Sequence, residues 1–343
     1  MKLNNISSRV CRPKAYIGIL IALCLCFSLL LFAPAFLSLD HDSIEYSAPS
    51  KFENMISSPF ESGSSSGIDQ VLLALYLQLQ NDFKVGEDLI YDGEGSSKEI
   101  LIFSLNTKPL DVLTTETDLS KISYQTIQAY YTLAYCIHHG YSYRFFLKEP
   151  LSSRCSSWHK PIIAQEMVLQ YSFVIVLDND AYFTTFDLRL EELMRSYGFT
   201  NETVVAAAVD PKNDPGNYID DVEGNRRIWL NTGFMFFRGS QRAHQILKLL
   251  NECELDICKH YYQGFPCDQG SFSAYIMPKL SSHEVLQLPC SDFNGYSGTD
   301  DERFSECRGT FVTHPWAWKH LVGKEVLNIF RRVLMVLLHK NNE

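Results

Sequence analysis

Residues 171–180 read YSFVIVLDND, and they establish the class of fold to which this chain belongs. The segment from Tyr171 to Leu177 is a short, continuous apolar run, rich in β-branched and aromatic residues. Such a run is typical of a strand buried on both faces, as in a sheet covered by helices on either side. Asp178 and Asp180 follow at once, so two carboxylates stand at the carboxyl end of the strand. Open α/β sheets bind their ligands at that end.

The sequence Asp178-Asn179-Asp180 has two interpretations. Carboxylate oxygens on a tight turn are hard ligands, suited to a divalent cation that is shared with substrate phosphates. Asp and Asn are also ordinary turn formers, so a simple polar turn explains the same residues. The motif alone favours neither interpretation.

Apolar patterns elsewhere predict alternating strands and helices. We expect strands at 99–106, 143–147, 203–209 and 228–238, the last interrupted at 231–233, and helices at 121–139, 158–170, 187–197, 240–252 and 324–339. Asp187 and Ser240 are the expected N-caps of their helices. The closing helix is expected to be buried, with a membrane-surface helix as the alternative. The alternation predicts an α/β fold, a single domain whose mostly parallel central sheet is flanked by helices.

The N-terminal region predicts a membrane anchor. Residues 15–37 carry no charge and are long enough to cross a bilayer; basic residues precede them and acidic residues follow. The positive-inside rule then places the bulk of the chain in the lumen. A cleaved signal peptide is the alternative, with Ala33-Pro34-Ala35 as its cleavage site. We predict a cytosolic tail at 1–14, a transmembrane signal anchor at 15–37, a flexible Ser/Pro/Gly-rich lumenal stem at 38–68 and a folded domain at 69–343.

The cysteines agree with a lumenal location. Seven follow the predicted anchor: Cys136, Cys155, Cys253, Cys258, Cys267, Cys290 and Cys307. In an oxidising compartment most of them are expected to pair, and the odd number leaves one over. A zinc site at Cys253, Cys258, His260 and Cys267 matches no common spacing and is not favoured. Asn201 begins a glycosylation sequon.

The charge argues against one class of partner. The formal net charge is −10 and no basic stripe interleaves with aromatic residues, so nucleic acid is not expected as a partner. An acidic protein that handles an anionic substrate needs a cation at the site to offset repulsion, which favours a metal at the paired aspartates.

Four further features join the aspartates, each with a structural alternative. The glycine of Asn231-Thr232-Gly233 inside a strand predicts either close approach of the backbone to another group or a simple bulge. Asp268, in Asp268-Gln269-Gly270, stands at a helix start, where it is a site residue or an N-cap. His314 ends a short strand, although a lone histidine is more often structural. Lys319 follows, and it either neutralises a phosphate or is simply solvated.

The order of these elements resembles a known family. WHKPIIAQEMVLQYSFVIVLDNDAYF at 158–183, NTGFMFF at 231–237, CDQGSF at 267–272 and FVTH at 311–314 are similar to metal-dependent nucleotide-sugar glycosyltransferases of the GT-A fold. More narrowly, they resemble the retaining galactosyl-, mannosyl- and xylosyltransferases of the Golgi, with glycogenin-like galactosyltransferases as near neighbours. The resemblance spans roughly residues 100–320 and implies a GT-A type catalytic domain.

The resemblance also implies a role for each motif residue. Asp178, Asp180 and His314 would hold Mn²⁺ or Mg²⁺, and Asp268 and Gln269 would be catalytic. The residues implied in donor binding are Ser104, Asn106, Asp178, Asn231, Gly233 and Lys319. No glycine separates His314 from Lys319, and Gly270 replaces a second acid, so the chain departs from the family pattern at both places.

The expected function is therefore transfer of a hexose or pentose from a UDP- or GDP-sugar to a glycan or glycoprotein, with retention. We expect a single-pass type II protein of the Golgi or ER membrane. A homo-oligomer is compatible with the sequence. The alternative is a non-catalytic lumenal carbohydrate-binding or scaffold protein with a structural cation at the paired aspartates. A nucleotide-sugar pyrophosphorylase ranks lower, because residues 104–109 lack the glycine-rich loop such enzymes use.

Overall fold

The computed structural model describes residues 65–82 and 88–340. Residues Asp69–Arg331 form one compact unit. Residues Met1–Ile68 and Arg332–Glu343 are grouped as a second unit, of which only 65–68 and 332–340 are described. None of the helices in the described ranges is long and apolar enough to cross a membrane, and the predicted anchor at 15–37 and nearly all of the predicted stem at 38–68 lie outside those ranges.

Nine α-helices occur in the described part of the chain. They are α1 (Ser65–Asp82), α2 (Tyr124–His139), α3 (His159–Met167), α4 (Leu190–Ser196), α5 (Gln241–Asn251), α6 (Asp256–Gln263), α7 (Asp268–Ser271), α8 (Cys290–Phe293) and α9 (Lys319–Lys340). As predicted, Ser240 caps α5 with its side chain. Gly140, in the left-handed conformation, ends α2. The predicted closing helix exists, beginning five residues earlier than expected (319 against 324).

Eleven strands occur in the same ranges. They are β1 (Leu89–Tyr91), β2 (Ile100–Asn106), β3 (Ser142–Leu147), β4 (Phe173–Leu177), β5 (Tyr182–Phe183), β6 (Val205–Val209), β7 (Tyr218–Asp220), β8 (Arg226–Ile228), β9 (Leu230–Arg238), β10 (Val285–Leu288) and β11 (Val312–Thr313).

The predicted α/β fold with a mostly parallel sheet is confirmed. Seven strands form the central sheet in the order β1-β3-β2-β4-β9-β6-β10. Five of them run in the same direction, since β2, β3 and β4 pair in parallel, β6 pairs in parallel with β10, and β9 is antiparallel to both β4 and β6. Only β1 and β9 run the other way.

Helices cover both faces of the sheet. Val174 and Val176 of β4 pack into an apolar cluster with α3 and α5, while α2 contacts β2 and β3. Because side chains alternate along a strand, Ile175 points away from that cluster, and it too is fully buried. This burial on both sides explains why the strand is a continuous apolar run.

Some predicted details are wrong. Asp187 does not cap α4, which begins three residues later at Leu190; its carboxylate instead lies 3.3 Å from Nε2 of His138. Strand β9 runs unbroken through Asn231-Thr232-Gly233, and the irregularity falls in its pairing with β6, whose register shifts between Ala207 and Val209. These outcomes depend on contacts between distant segments, which local pattern does not encode.

The cysteine prediction is confirmed within the described residues. Three disulfides join Cys155 to Cys267, Cys253 to Cys258 and Cys290 to Cys307. Cys136 is free and buried. The disulfides are compatible with a lumenal or secreted location. They also exclude zinc at Cys253, Cys258 and Cys267, since a thiol in a disulfide is not a ligand.

Candidate active site

Three side chains form a candidate metal site at the carboxyl end of β4. Asp178, Asp180 and His314 each offer a ligand atom, and these atoms lie within 4.8 Å of one another. His314 arrives from far along the chain because β11 pairs with β5, with Thr313 opposite Tyr182. Its Nε2 lies 3.2 Å from Oδ1 of Asp180 and 4.0 Å from Oδ2 of Asp178.

The imidazole of His314 is held in the orientation that a metal ligand needs. Its Nδ1 lies 3.0 Å from Oδ1 of Asn231. That amide oxygen only accepts hydrogen bonds, so Nδ1 carries the proton and donates it. Nε2 faces the two aspartates, and with a cation bound between them it would offer its lone pair as the ligand, in the tautomer that a metal-binding histidine uses.

Gly233 leaves the room that this ring occupies. A Cβ at this position would overlap the His314 ring, at 2.7 Å from Nε2. The Gly233 amide donates to Oδ1 of Asn231 at 2.9 Å, and its carbonyl accepts from the Asp178 amide at 2.8 Å. The predicted close approach of backbone at Asn231-Thr232-Gly233 is therefore present, and the neighbour is the imidazole of His314.

Asp210 fixes the amide groups around the metal site. This buried carboxylate follows β6 and accepts hydrogen bonds from Asn231 (2.9 Å), Gln269 (2.7 Å) and Asn294 (3.0 Å). Burial raises the pKa of Asp210 above its usual value, although the hydrogen bonds from Asn231 and Asn294 act in the opposite direction. The resulting chain of contacts, from Asp210 to Asn231 to His314, holds the imidazole of His314 in its orientation toward the two aspartates.

A buried lysine links the metal site to Asp268. Nζ of Lys160 lies 3.1 Å from Oδ1 of Asp178 and 3.3 Å from Oδ2 of Asp268, and it also donates to the carbonyl and hydroxyl of Thr232 at 3.1 Å. Burial disfavours the charged ammonium, but the two carboxylates outweigh it, so the pKa of Lys160 is raised and the side chain stays charged. Burial raises the pKa of Asp268, and Lys160 opposes that shift.

Asp180 is ionised and forms an ion pair with a second lysine. Burial alone would raise its pKa, but His314 and Lys319 hold the pKa of this carboxyl well below its usual range. Nζ of Lys319 lies 2.7 Å from Oδ2 of Asp180, and its side chain is about half exposed (53%). Lys319 therefore adds a half-exposed positive charge beside the candidate metal ligands.

The donor set fits a hard divalent cation. Two carboxylates and one imidazole, close together and partly buried, are ligands that Mn²⁺ accepts and that Mg²⁺ accepts through its oxygen donors. Within the described ranges, this is the only group of three or more His, Cys, Asp or Glu side chains with the spacing of a metal site.

Most of the predicted site residues meet here. Contacts already described connect Asp178, Asp180, Asn231, Gly233, Asp268, Gln269, His314 and Lys319. Gln269 joins through Asp210 and by accepting the Thr232 amide at 3.3 Å. Asp268 does not act as an N-cap, since Cys267 takes that position in α7.

The two predicted residues of β2 lie apart from the cluster. Ser104 is buried in the strand, and Oδ1 of Asn106 accepts the adjacent Thr107 amide at 2.9 Å. Among the described residues, no hydrogen bond or ion pair joins either side chain to the paired aspartates. The link runs instead through Leu105, whose carbonyl accepts from Asn179 at 2.6 Å.

Lys160, Asp210 and Asn294 also belong to this cluster, and none of them was predicted as a site residue. Asp210 carried a usable signal, because it follows a buried strand as Asp178 does. Lys160 and Asn294 carried none, since a single lysine at a helix start or a single asparagine in a loop is unremarkable until the fold places it beside buried carboxylates.

Comparison of the sequence with protein-family models and with curated proteins gives no match. The structure resembles a glycosyltransferase involved in glycosylation of the major capsid of PBCV-1, at 16% identity and a TM-score of 0.46 over 66% of this chain and 98% of that one. Mouse xyloside xylosyltransferase 1 is similar at 13% identity and a TM-score of 0.36 (63% and 96% covered). The galactosyltransferase LgtC is similar at 12% identity and a TM-score of 0.40 (67% and 95% covered). Likeness at this level does not assign an activity.

Proposed function

We propose that this protein is a metal-dependent glycosyltransferase that moves a hexose or pentose from a UDP- or GDP-sugar to a glycan or glycoprotein, with retention. One observation carries the proposal. Asp178, Asp180 and His314 converge at the carboxyl end of β4, with the buried carboxylate of Asp268 connected to them through Lys160. A cation site beside a third, buried carboxylate suits a reaction in which a diphosphate leaves from a sugar carbon.

Each residue then has a definite task. Asp178, Asp180 and His314 hold the cation, Mn²⁺ or Mg²⁺, which supplies Lewis-acid stabilisation of the departing diphosphate when bound. Lys319 is half exposed beside Asp180, so its ammonium is available to a phosphate oxygen. Asn231 and Gly233 keep His314 in place and line the donor pocket, and Ser104 and Asn106 remain our proposal for the nucleoside side of the donor.

Asp268 and Gln269 are the proposed catalytic residues. Retention needs either a carboxylate nucleophile or attack from the face that the leaving group occupies. Asp268 is the carboxylate that Lys160 ties to the metal site, and Gln269 is fixed by Asp210 and by the Thr232 amide. Such fixed positions are what a group acting at the sugar carbon requires.

The proposed location is the lumen of the Golgi or ER. The three disulfides support an oxidising compartment. Residues 15–37 would anchor the chain as a type II membrane protein, with residues 38–68 as the stem and 69–343 as the catalytic domain.

The test uses the full-length chain with Mn²⁺ and a panel of UDP- and GDP-sugars. We expect donor hydrolysis or transfer with at least one sugar, loss of that activity in excess EDTA, and loss of at least 100-fold in Asp178→Asn and Asp180→Asn. Asp187→Asn is the matched control, because this exposed carboxylate contacts His138 and lies outside the site. The anomeric configuration of the product, read by NMR, tests retention.

Two results would contradict the proposal. Full activity in EDTA or in Asp180→Asn would show that the metal takes no part in the reaction. Cation binding by the wild-type protein, without any binding or turnover of a nucleotide sugar, would instead favour the carbohydrate-binding or scaffold alternative.

A further inference from the structure

A turn between α4 and β6 presents an asparagine that the proposed function does not use. Asn201-Glu202-Thr203 has the pattern Asn-x-Ser/Thr, the acceptor sequence for N-linked glycosylation. The same pattern occurs at one other place in the chain, Asn5-Ile6-Ser7, within the predicted cytosolic tail. Asn201 is exposed and lies in the turn itself. A sugar chain attached there would project into solvent.

The backbone of this turn is held in place from the inside. The Thr203 amide donates to the Thr200 carbonyl at 3.3 Å, and Oγ1 of Thr203 accepts from the Thr200 amide at 3.1 Å. The guanidinium of Arg238 donates to the carbonyls of both threonines. These contacts fix the two ends of the turn and leave its middle residues, Asn201 and Glu202, exposed.

The side-chain amide of Asn201 is free. Within residues 65–82 and 88–340 it has no hydrogen-bond partner. Asn251 is the contrast, because its Nδ2 donates to the Pro161 carbonyl at 3.0 Å and to Oε1 of Gln165 at 2.7 Å. A substituent on Nδ2 of Asn251 would break those bonds, whereas one on Nδ2 of Asn201 would replace only water.

Asn201 lies at the edge of the sheet opposite the candidate active site. Strands β4 and β6 run in the same direction, since both are antiparallel to β9. Asp210, which belongs to the site, follows the last residue of β6, whereas Asn201 precedes the first. A strand of this length separates its two ends by roughly 17 Å. A glycan at Asn201 therefore stands away from the cation site.

We propose that Asn201 carries an N-linked glycan. The inference rests on the proposed lumenal location, which the three disulfides support, and adds a modification site to the catalytic domain. In the reaction, Nδ2 of Asn201 forms a bond to C1 of the first sugar and gives up one proton, while the bond from C1 to the diphosphate oxygen of a lipid-linked oligosaccharide breaks. The lipid diphosphate leaves with the electron pair, and a membrane-bound oligosaccharide transferase of the host cell catalyses the step.

The burial of Thr203 fixes the order of events. The hydroxyl at the third position of the sequon is part of what is recognised, and the Thr203 side chain in the folded protein is only 3% exposed. Its oxygen is also engaged by the Thr200 amide. Attachment therefore precedes folding of this turn, and the exposed Asn201 then carries the glycan in the folded protein.

The test expresses the full-length chain in a eukaryotic secretory host and measures the occupancy of each sequon by peptide mass spectrometry, before and after an N-glycosidase. We expect a glycan at Asn201 and none at Asn5, which a type II anchor keeps in the cytosol. Asn201→Gln should lose the whole glycosidase-sensitive mass shift. Thr203→Ala should lose it too, whereas Thr203→Ser should keep it, since serine preserves the hydroxyl.

Asn213→Gln is the matched control, because Asn213 is also exposed in a turn but begins no sequon. An unmodified Asn201 in the wild type, or a glycosidase-sensitive shift that persists in Asn201→Gln, would overturn the proposal. The disulfides, read from the same peptide maps, show how far such a failure reaches. With all three formed, only the glycosylation site is wrong, whereas reduced cysteines, or a glycan at Asn5 in place of Asn201, would contradict the proposed lumenal location as well.

Discussion

Gly233 and His314 are in direct contact, and the contact leaves no space for a side chain at position 233. The backbone of Gly233 does not require the left-handed conformation, so the glycine is needed for room and not for its conformational freedom. The same residue also positions Asp178 and Asn231 through its carbonyl and amide. A single methyl group at this position would therefore disturb two of the three candidate metal ligands.

We expect Gly233→Ala to weaken Mn²⁺ binding by about 10- to 100-fold, the range for loss of a group that orients a metal ligand. The overpacking should also cost about 1–3 kcal/mol of unfolding free energy. Calorimetric titration with Mn²⁺ and chemical denaturation measure the two effects.

Gly216→Ala is the control for that variant, because Gly216 is exposed and a Cβ there would meet only the carboxylate of Asp214, at 3.2 Å. Its Mn²⁺ affinity should match the wild type. If Gly233→Ala bound Mn²⁺ as tightly as the wild type, either His314 would not bind the metal or a shift of the His314 ring would not affect binding.

Much of this arrangement could be predicted from sequence. The apolar run before Asp178 predicted a strand buried on both faces, and the rule for α/β sheets placed Asp178 and Asp180 at the edge where such sheets bind ligands. Both predictions rest on local pattern. The place of His314 beside them was implied by the family resemblance, and in the structure it depends on the pairing of β11 with β5, outside the central sheet.

The rest could not be predicted, for a physical reason. Lys160 acquires its role only when α3 packs beside Asp178 and Asp268, and the sequence around it contains no periodic signal of that contact. Asp187 looks like a helix cap locally, but its position beside His138 and the later start of α4 are set by tertiary packing. The pairing of Cys155 with Cys267 likewise depends on proximity across 112 residues.

Removal of the buried Lys160 charge should destabilise the protein strongly. Lys160→Met leaves Asp268 buried without its counter-charge, and loss of one partner of a buried pair costs about 3–5 kcal/mol. Adding Asp268→Asn should recover a large part of that loss, because the stranded charge is then gone. Urea denaturation of the wild type, both single variants and the double variant gives the coupling.

The exposed pair of Lys121 and Asp118, at 3.5 Å, provides the comparison. Lys121→Met should change stability little, as for surface ion pairs in general. Similar losses in Lys160→Met and Lys121→Met would mean that Lys160 is not the buried link between Asp178 and Asp268.

Asp210 should act on the metal without touching it. Asp210→Asn keeps the shape of the side chain but replaces one acceptor oxygen by an amide that faces donors from Asn231, Asn294 or Gln269. We expect a stability loss of about 1–3 kcal/mol from the mismatched buried groups and a Mn²⁺ affinity lowered by about tenfold or more through Asn231 and His314. Asp220→Asn, at an exposed strand end, should change neither quantity, and an unaltered Mn²⁺ affinity in Asp210→Asn would break the proposed chain from Asp210 to His314.

The disulfide between Cys155 and Cys267 should matter most, both for stability and for the site. It closes a loop of 112 residues, whereas Cys253–Cys258 closes one of 5 residues. By loop-closure entropy, removal should cost about 5 kcal/mol for the first bond and about 2 kcal/mol for the second. The first bond also fixes the site. Cys155 lies five residues before Lys160 and Cys267 immediately precedes Asp268, and the side chains of Lys160 and Asp268 form an ion pair at 3.3 Å.

We therefore expect the double variant Cys155→Ser/Cys267→Ser to lose donor turnover at temperatures where it is still folded, while Cys253→Ser/Cys258→Ser keeps it. Thermal unfolding and turnover measured on the same preparations decide the point, and equal behaviour of the two variants would show that the long-range bond does not position the site.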